Sequence, residues 1–340
     1  DSGSTIGFYT INVADAPKYN SLPSVWVRSR GDSARLRDTG EFVNAPRTIL
    51  ARVIILSPTY FFASSLGDIT IGSGSTFDGN ILGRDIYFNV NESINPEEAR
   101  HINIDGEVFY FRSINGAENA EYVHINSDEN PYGQQSPAIS FPGVDLGYYR
   151  ELANGANPEN PLPGRYIDGN FNYSGEINKE NLGTQNGIVY AEGDITISGE
   201  FSDNITFVAG GDIYIDGDLV NGSDSDQFVP QLGLLASENV YISESADSDL
   251  SIEAFVMADE GTFEALGPKF SKGSLDFYGA ISVRGREGVT GIDLLVYDQR
   301  NYTYNSQLAS NGQIPFLPNI ANVVQWKEIT IHEEFPPPND

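Results

Sequence analysis

A short phrase recurs along this chain: a turn, then Asp or Asn, then a β-branched residue, a polar one and a second apolar one. It stands at Gly67-Asp-Ile-Thr-Ile71, Gly83-Arg-Asp-Ile-Tyr-Phe88, Gly193-Asp-Ile-Thr-Ile197, Gly211-Asp-Ile-Tyr-Ile215 and Glu238-Asn-Val-Tyr-Ile242. Taking Asp68, Asp85, Asp194, Asp212 and Asn239 as one slot gives spacings of 17, 109, 18 and 27 residues. Spacings near 18 to 27 suit one coil of a parallel β-solenoid, whose stacked slots bury an apolar column that no single coil could bury alone. The alternative is an antiparallel β-sandwich, and the recurrence favours the solenoid. The pattern predicts that Ile195, Ile197, Ile213, Ile215, Val240 and Ile242 lie inside. Glycine at the corners permits sharp turns, and Asp or Asn caps turn amides. The gap of 109 calls for an insertion or less regular coils, placed at about 91–180.

The first 56 residues have a different texture. Gly7-Phe-Tyr-Thr-Ile-Asn-Val13, Ser24-Val-Trp-Val-Arg-Ser-Arg30 and Arg47-Thr-Ile-Leu-Ala-Arg-Val-Ile-Ile-Leu56 alternate with period two between turn residues, which predicts a three-stranded antiparallel meander. Such a meander exposes edges and one apolar face, so it needs a covering helix or partner. The alternation places Val25 and Val27 on one side, toward that cover. Trp26, Arg28 and Arg30 lie on the other, as the candidate partner-binding residues. The predicted organisation is therefore all-β: a meander over 1–56, a right-handed parallel β-solenoid over 57–330 with its insertion, and a tail over 331–340. Within the insertion, Asn95-Pro-Glu-Glu-Ala-Arg-His101 reads as a helical turn, Glu107–Arg112 as a strand and Val144–Ala153 as a short helix. The stretch from Gly291 to Trp326 reads as a segment closing the solenoid.

Charge and composition narrow the function classes. The chain carries 19 Lys+Arg against 48 Asp+Glu, a formal charge of −29. The meander holds seven basic and five acidic residues, so the remaining body is strongly polyanionic. A polyanion repels phosphate backbones, which disfavours nucleic acid as a partner. Without cysteine there are no disulfides, thiolate zinc sites, iron–sulfur clusters or cysteine nucleophiles. No apolar run reaches the roughly 18 residues of a membrane span, and no signal peptide is visible in these residues.

Catalytic motifs are sparse. His101, His124 and His332 lie in unlike contexts with no second His at zinc-ligand spacing. Gly31-Asp-Ser33 lacks a downstream Asp-x-x-His companion and reads as a turn, Gly72-Ser-Gly-Ser-Thr76 lacks the Gly-x-Ser-x-Gly elbow, and no phosphate-binding or dinucleotide loop is present. Solenoid polysaccharide hydrolases cluster carboxylates on one face, which draws attention to Asp68, Asp85, Asp194, Asp212 and Asp216. Their turn position explains the aspartates without catalysis, and the expectation is no enzyme and no cofactor. Two acidic loops, holding Asp224 and Asp226 and then Asp247 and Asp249, are the calcium candidates because a hard cation needs oxygen ligands. Neither has an EF-hand or Gly-Gly-x-Gly-x-Asp pattern, and solvated loops are the favoured reading.

The order of parts resembles the PilX-type minor pilins of bacterial type IV pili that carry a β-solenoid. The resemblance rests on Gly7–Val13, Val25–Gly31 and Pro46–Val53 as the pilin three-strand run. It extends to Gly187–Ile197 and Phe207–Ile215 as solenoid phrases and to the closing Val323-Val-Gln-Trp-Lys-Glu-Ile329. It implies a non-enzymatic filament subunit whose partners are other pilins and a surface or glycan ligand. It also implies a cell-surface location, and a membrane contact made only through an N-terminal helix that anchors the protein in the inner membrane before assembly. The prepilin cleavage site and helix are absent from these residues. A secreted carbohydrate-active β-helix enzyme and a bactofilin-like polymer are the alternatives.

Overall fold

The computed structural model describes residues 7–19, 22–36, 42–56, 58–90, 101–118, 121–127, 133–135, 143–223, 229–285, 290–309, 314–317 and 320–329. They fall into two compact units, one drawn from both chain ends and the other spanning Pro58–Pro318. The first is an antiparallel sheet in which Gly7–Tyr19 pairs with Leu22–Leu36, that strand with Phe42–Leu56, and Phe42–Leu56 with Ile320–Ile329. The meander is thus present with a fourth strand added. Ile320–Ile329, expected to close the solenoid, instead pairs Val323 with Val53 and Ala321 with Ile55. The open edge of Phe42–Leu56 needs a backbone partner, and this strand supplies it. Register puts Trp26, Leu50, Arg52, Thr48 and Ile54 on one face, all buried; the other carries Ile11, Val13 and Ile49, exposed by 55%, 61% and 42%.

The second unit is a parallel β-solenoid, with twenty-one strands in one hydrogen-bonded array among the described residues. Its inward column runs Phe171, Ile195, Ile213, Val240, Phe263, Ile292, Ile69, Ile86, Ile114, each residue in register with the next. All six residues predicted to lie inside are fully buried. The spatial order of coils differs from the order of the sequence. The chain enters the middle of the stack at Ala63–Ser65, which lies between Lys272–Val283 and Ile81–Asn89. It builds outward through Val108–Asn115 to Gln134–Gln135 at one end. It resumes at the other end with Arg165–Ile167 and Phe171–Ser174, then stacks inward until Tyr297–Tyr304 meets Ser75–Asp78.

The interruption expected over 91–180 is accordingly narrower. Ile102–Asp105, Val108–Asn115, Val123–Asn126, Arg165–Ile167 and Phe171–Ser174 are all rungs of the stack. The gap of 109 arises because the chain leaves one end and restarts at the other. The helical turn over 95–101 lies outside the described residues, apart from His101. Helix α1 (Leu146–Asn154) forms where a short helix was expected. Asp145 caps it, accepting from the Tyr148 amide at 3.0 Å, and Gly155 ends it at φ 66°.

α1 also explains strands that depart from alternation. Ile188–Ala191, Ile205–Ala209 and Leu232–Ala236 are buried at every position. Their inner residues face the column. Their outer residues, including Ile188, Tyr190, Val208 and Leu235, pack with Phe255, Met257 and Ala280 beneath Tyr149, Leu152, Ala153, Leu308 and Ile314. Strands covered on both faces read as continuous apolar runs. Where Tyr297–Tyr304 meets the incoming chain, Arg300 points inward between Leu275 and Ser75 in register and is 1% exposed. Its guanidinium donates to Ser75 Oγ at 3.1 Å, to the Ser73 carbonyl at 2.5 Å and to the Tyr297 carbonyl. One side chain so bridges segments more than 220 residues apart.

Candidate functional site

The turn-slot residues form a hydrogen-bonded ladder down one corner of the solenoid. Asn170 Oδ1 accepts from the Asp194 amide at 3.0 Å, and Asp194 Oδ1 from the Asp212 amide at 2.9 Å. Asp212 Oδ1 accepts from the Asn239 amide and Nδ2, both at 2.9 Å, and Asn239 Oδ1 from the Thr262 amide at 3.0 Å. A side-chain oxygen of each coil therefore satisfies the turn amide of the next, a donor that the ladders of the flanking strands leave over. Asn and Asp share this task because an acceptor oxygen is all it requires.

The other suspected aspartates are also engaged. Asp68 accepts from Arg84 Nη2 at 2.8 Å, and Asp216 from Ser245 Oγ at 2.5 Å. Asp85, with no solvent exposure, accepts from Arg112 Nε at 2.9 Å and Ser113 Oγ at 2.6 Å, and pairs with Arg112 Nη2 at 2.5 Å. Burial pushes its carboxyl up, but the bonds from Arg112 and Ser113 outweigh that and hold it below the ordinary carboxylate value. A glycosidase acid needs the opposite, a raised pKa beside an accessible bond.

The calcium candidates divide. Asp224 and Asp226 lie outside the described residues. Asp249 Oδ1 accepts from the Ser274 hydroxyl and amide, both at 2.8 Å, and these bonds hold its carboxyl low. In the same loop the carbonyls of Ser243 and Ala246 accept from Lys272 Nζ at 3.3 and 2.6 Å, while the Asp247 carbonyl accepts from the Tyr297 hydroxyl at 3.2 Å. Two of the loop's carbonyls thus meet a resident ammonium, and others of its oxygens accept from Tyr297 and Ser274. Among the described residues no group of three or more His, Cys, Asp or Glu is placed to hold a metal ion.

Of the three residues assigned to partner binding, Trp26 is only 9% exposed, packed on Leu50 and Ala16 with the Arg52 guanidinium 5.6 Å from its ring centroid. Arg28 is half-buried and Arg30 exposed, so on this face Arg30 is the more open to a partner. The uncovered apolar side chains lie on the opposite face, that of Val25 and Val27.

Two surface features lie outside the sites singled out in the sequence. Along the solenoid, Asn172, Thr196, Tyr214, Tyr241, Glu264 and Asp293 form an outward polar column, with the Tyr214 and Tyr241 rings 5.4 Å apart. Burial, reinforced by Asp293, raises the Glu264 carboxyl. On the covered side, Glu192 accepts from Arg150 at 2.6 Å, Tyr166 at 2.9 Å and Tyr190 at 3.1 Å, which pins α1 to the strands beneath. The sequence signal for the polar column was the outward slot of the recurring phrase. For the Glu192 cluster there was none, because its members come from three separate elements.

Together the fold and these contacts define a β-solenoid borne on one chain with an antiparallel sheet, in which Asp68, Asp85, Asp194, Asp212 and Asp216 are engaged in bonds between coils. No protein-family model matches the chain, and no curated protein matches it.

Proposed function

We propose that this protein is a non-enzymatic structural and adhesive subunit of a bacterial surface filament, of the type IV minor-pilin kind. The observation that carries the reading is the one-sided sheet: Ile11, Val13 and Ile49 leave an apolar face exposed beside Val25 and Val27. In a pilin this is the face an apolar N-terminal helix covers, and the same helix then enters the filament core. The polar columns of the solenoid, including Tyr214 and Tyr241, are the surface offered to a glycan or a cell. Commitment of Asp68, Asp85, Asp194, Asp212 and Asp216 to structural bonds favours this reading over a secreted polysaccharide hydrolase.

The test is Val13→Asp in this protein, expressed in its source bacterium. Val13 is 61% exposed, so the substitution changes stability by less than about 0.5 kcal/mol. Incorporation into sheared surface filaments drops sharply under the filament reading. Wild-type levels of the variant in filaments contradict it.

A further inference from the structure

The three histidines have no zinc-type spacing in sequence, yet the solenoid brings two of them together. His101 and His124 are 23 residues apart, about one coil, and both are exposed. His101 Nδ1 and His124 Nε2 lie 2.8 Å apart, with the rings 5.0 Å between centroids and 21° from parallel. Both residues sit on a fixed frame. The His101 carbonyl accepts from the Gly74 amide at 3.2 Å, and the Ile102 amide donates to the Tyr122 carbonyl at 2.8 Å. His124 is held in register with Asn103 on the neighbouring strand.

We propose that His101 and His124 form a surface site for a tetragonal divalent ion, copper(II) or nickel(II). Two imidazole nitrogens bound to one ion at about 2.0–2.1 Å lie about 3.3–3.4 Å apart at a tetrahedral angle, but about 2.9 Å apart at 90°. The observed 2.8 Å matches the 90° arrangement of adjacent ligands in square-planar or tetragonal coordination. An imidazole N–H lying between the two nitrogens moves to the other nitrogen of its own ring, so that each facing nitrogen offers a lone pair to the ion. Small rotations about the terminal side-chain torsions, which are broad for His, bring both lone pairs onto one point. Solvent fills the remaining positions, and the chain's net charge of −29 raises the local concentration of divalent cations.

The test uses the full chain titrated with copper(II) against a weak competing chelator and read by electron paramagnetic resonance. One tightly bound equivalent with coupling to two nitrogens is expected. His101→Ala and His124→Ala should each weaken that site at least tenfold, since loss of even an outer-shell partner costs 10–100-fold. Circular dichroism should show both variants folded, as both side chains are exposed. Tight copper binding that survives in the double variant overturns the proposal by locating the ion at the acidic surface or the amino terminus. Zinc binding as tight as copper also overturns it, because the site would then be tetrahedral.

Discussion

Replacing Asp212 by alanine, and separately by asparagine, distinguishes a coil-locking role from any role for the carboxylate's charge. In the wild type Asp212 Oδ1 satisfies two donors of Asn239, its amide and its Nδ2, each at 2.9 Å. Alanine removes the acceptor and leaves the turn amide of the next coil without it, at the roughly 1–3 kcal/mol that an orphaned, partly buried donor costs. We take about 2 kcal/mol, because the site is part-buried and water recovers some of the loss. For a unit of this size that is a fall of about 4–8 °C in Tm, measured by thermal melts at neutral pH. Asparagine keeps an acceptor oxygen, and Asn170 and Asn239 already do the same work in this ladder. Asp212→Asn should therefore lie within about 0.5 kcal/mol of wild type. An asparagine variant as unstable as the alanine variant would refute the reasoning, since the charge rather than the acceptor would then be holding the coils.

Three further outcomes follow from the same contacts. Ile213→Asp puts an unpaired charge in the middle of the fully buried column and should cost several kcal/mol, with loss of the cooperative melt by circular dichroism. Gly199 has φ 135°, and a Cβ there would lie 1.8 Å from the Gly175 carbonyl, so Gly199→Ala should destabilise by more than about 1 kcal/mol in denaturant titrations. Asp85 has its folded-state pKa below its unfolded value, so its contribution is present above the ordinary carboxylate pKa and is lost as pH falls through the depressed one. Stability measured across that acidic range should fall less steeply for Asp85→Asn than for wild type, and equal slopes would remove Asp85 from the acid response.

How much of this was legible in the sequence depends on the residue. Ile195, Ile213 and Val240 were placed correctly because their neighbours in space are also neighbours one coil along the chain. Asp85 and Asp194 were correctly put in the same column, but not the reason for their distance. Ile69 stacks on Ile292, a contact between chain runs that no local periodicity encodes. Strand alternation failed at Ile205–Ala209 because the outer face is covered by α1 and the segment around Leu308 and Ile314, which supply burial from outside the repeat. Val323-Val-Gln-Trp-Lys-Glu-Ile329 was legible as a closing strand, but nothing in it says which of two sheets it closes. His101 and His124 look unrelated along the chain because their nearness is set across a coil, by stacking.

The most direct test of the account is the location of the protein on the cell that makes it. Antibodies raised against the solenoid, applied to intact cells and to sheared surface material, should label filaments under electron microscopy. Mass spectrometry of the same fraction should find this chain together with other pilins. Its recovery only as a free secreted protein, releasing reducing ends from a polysaccharide in a way that Asp194→Ala abolishes, would contradict the filament reading and restore the enzyme.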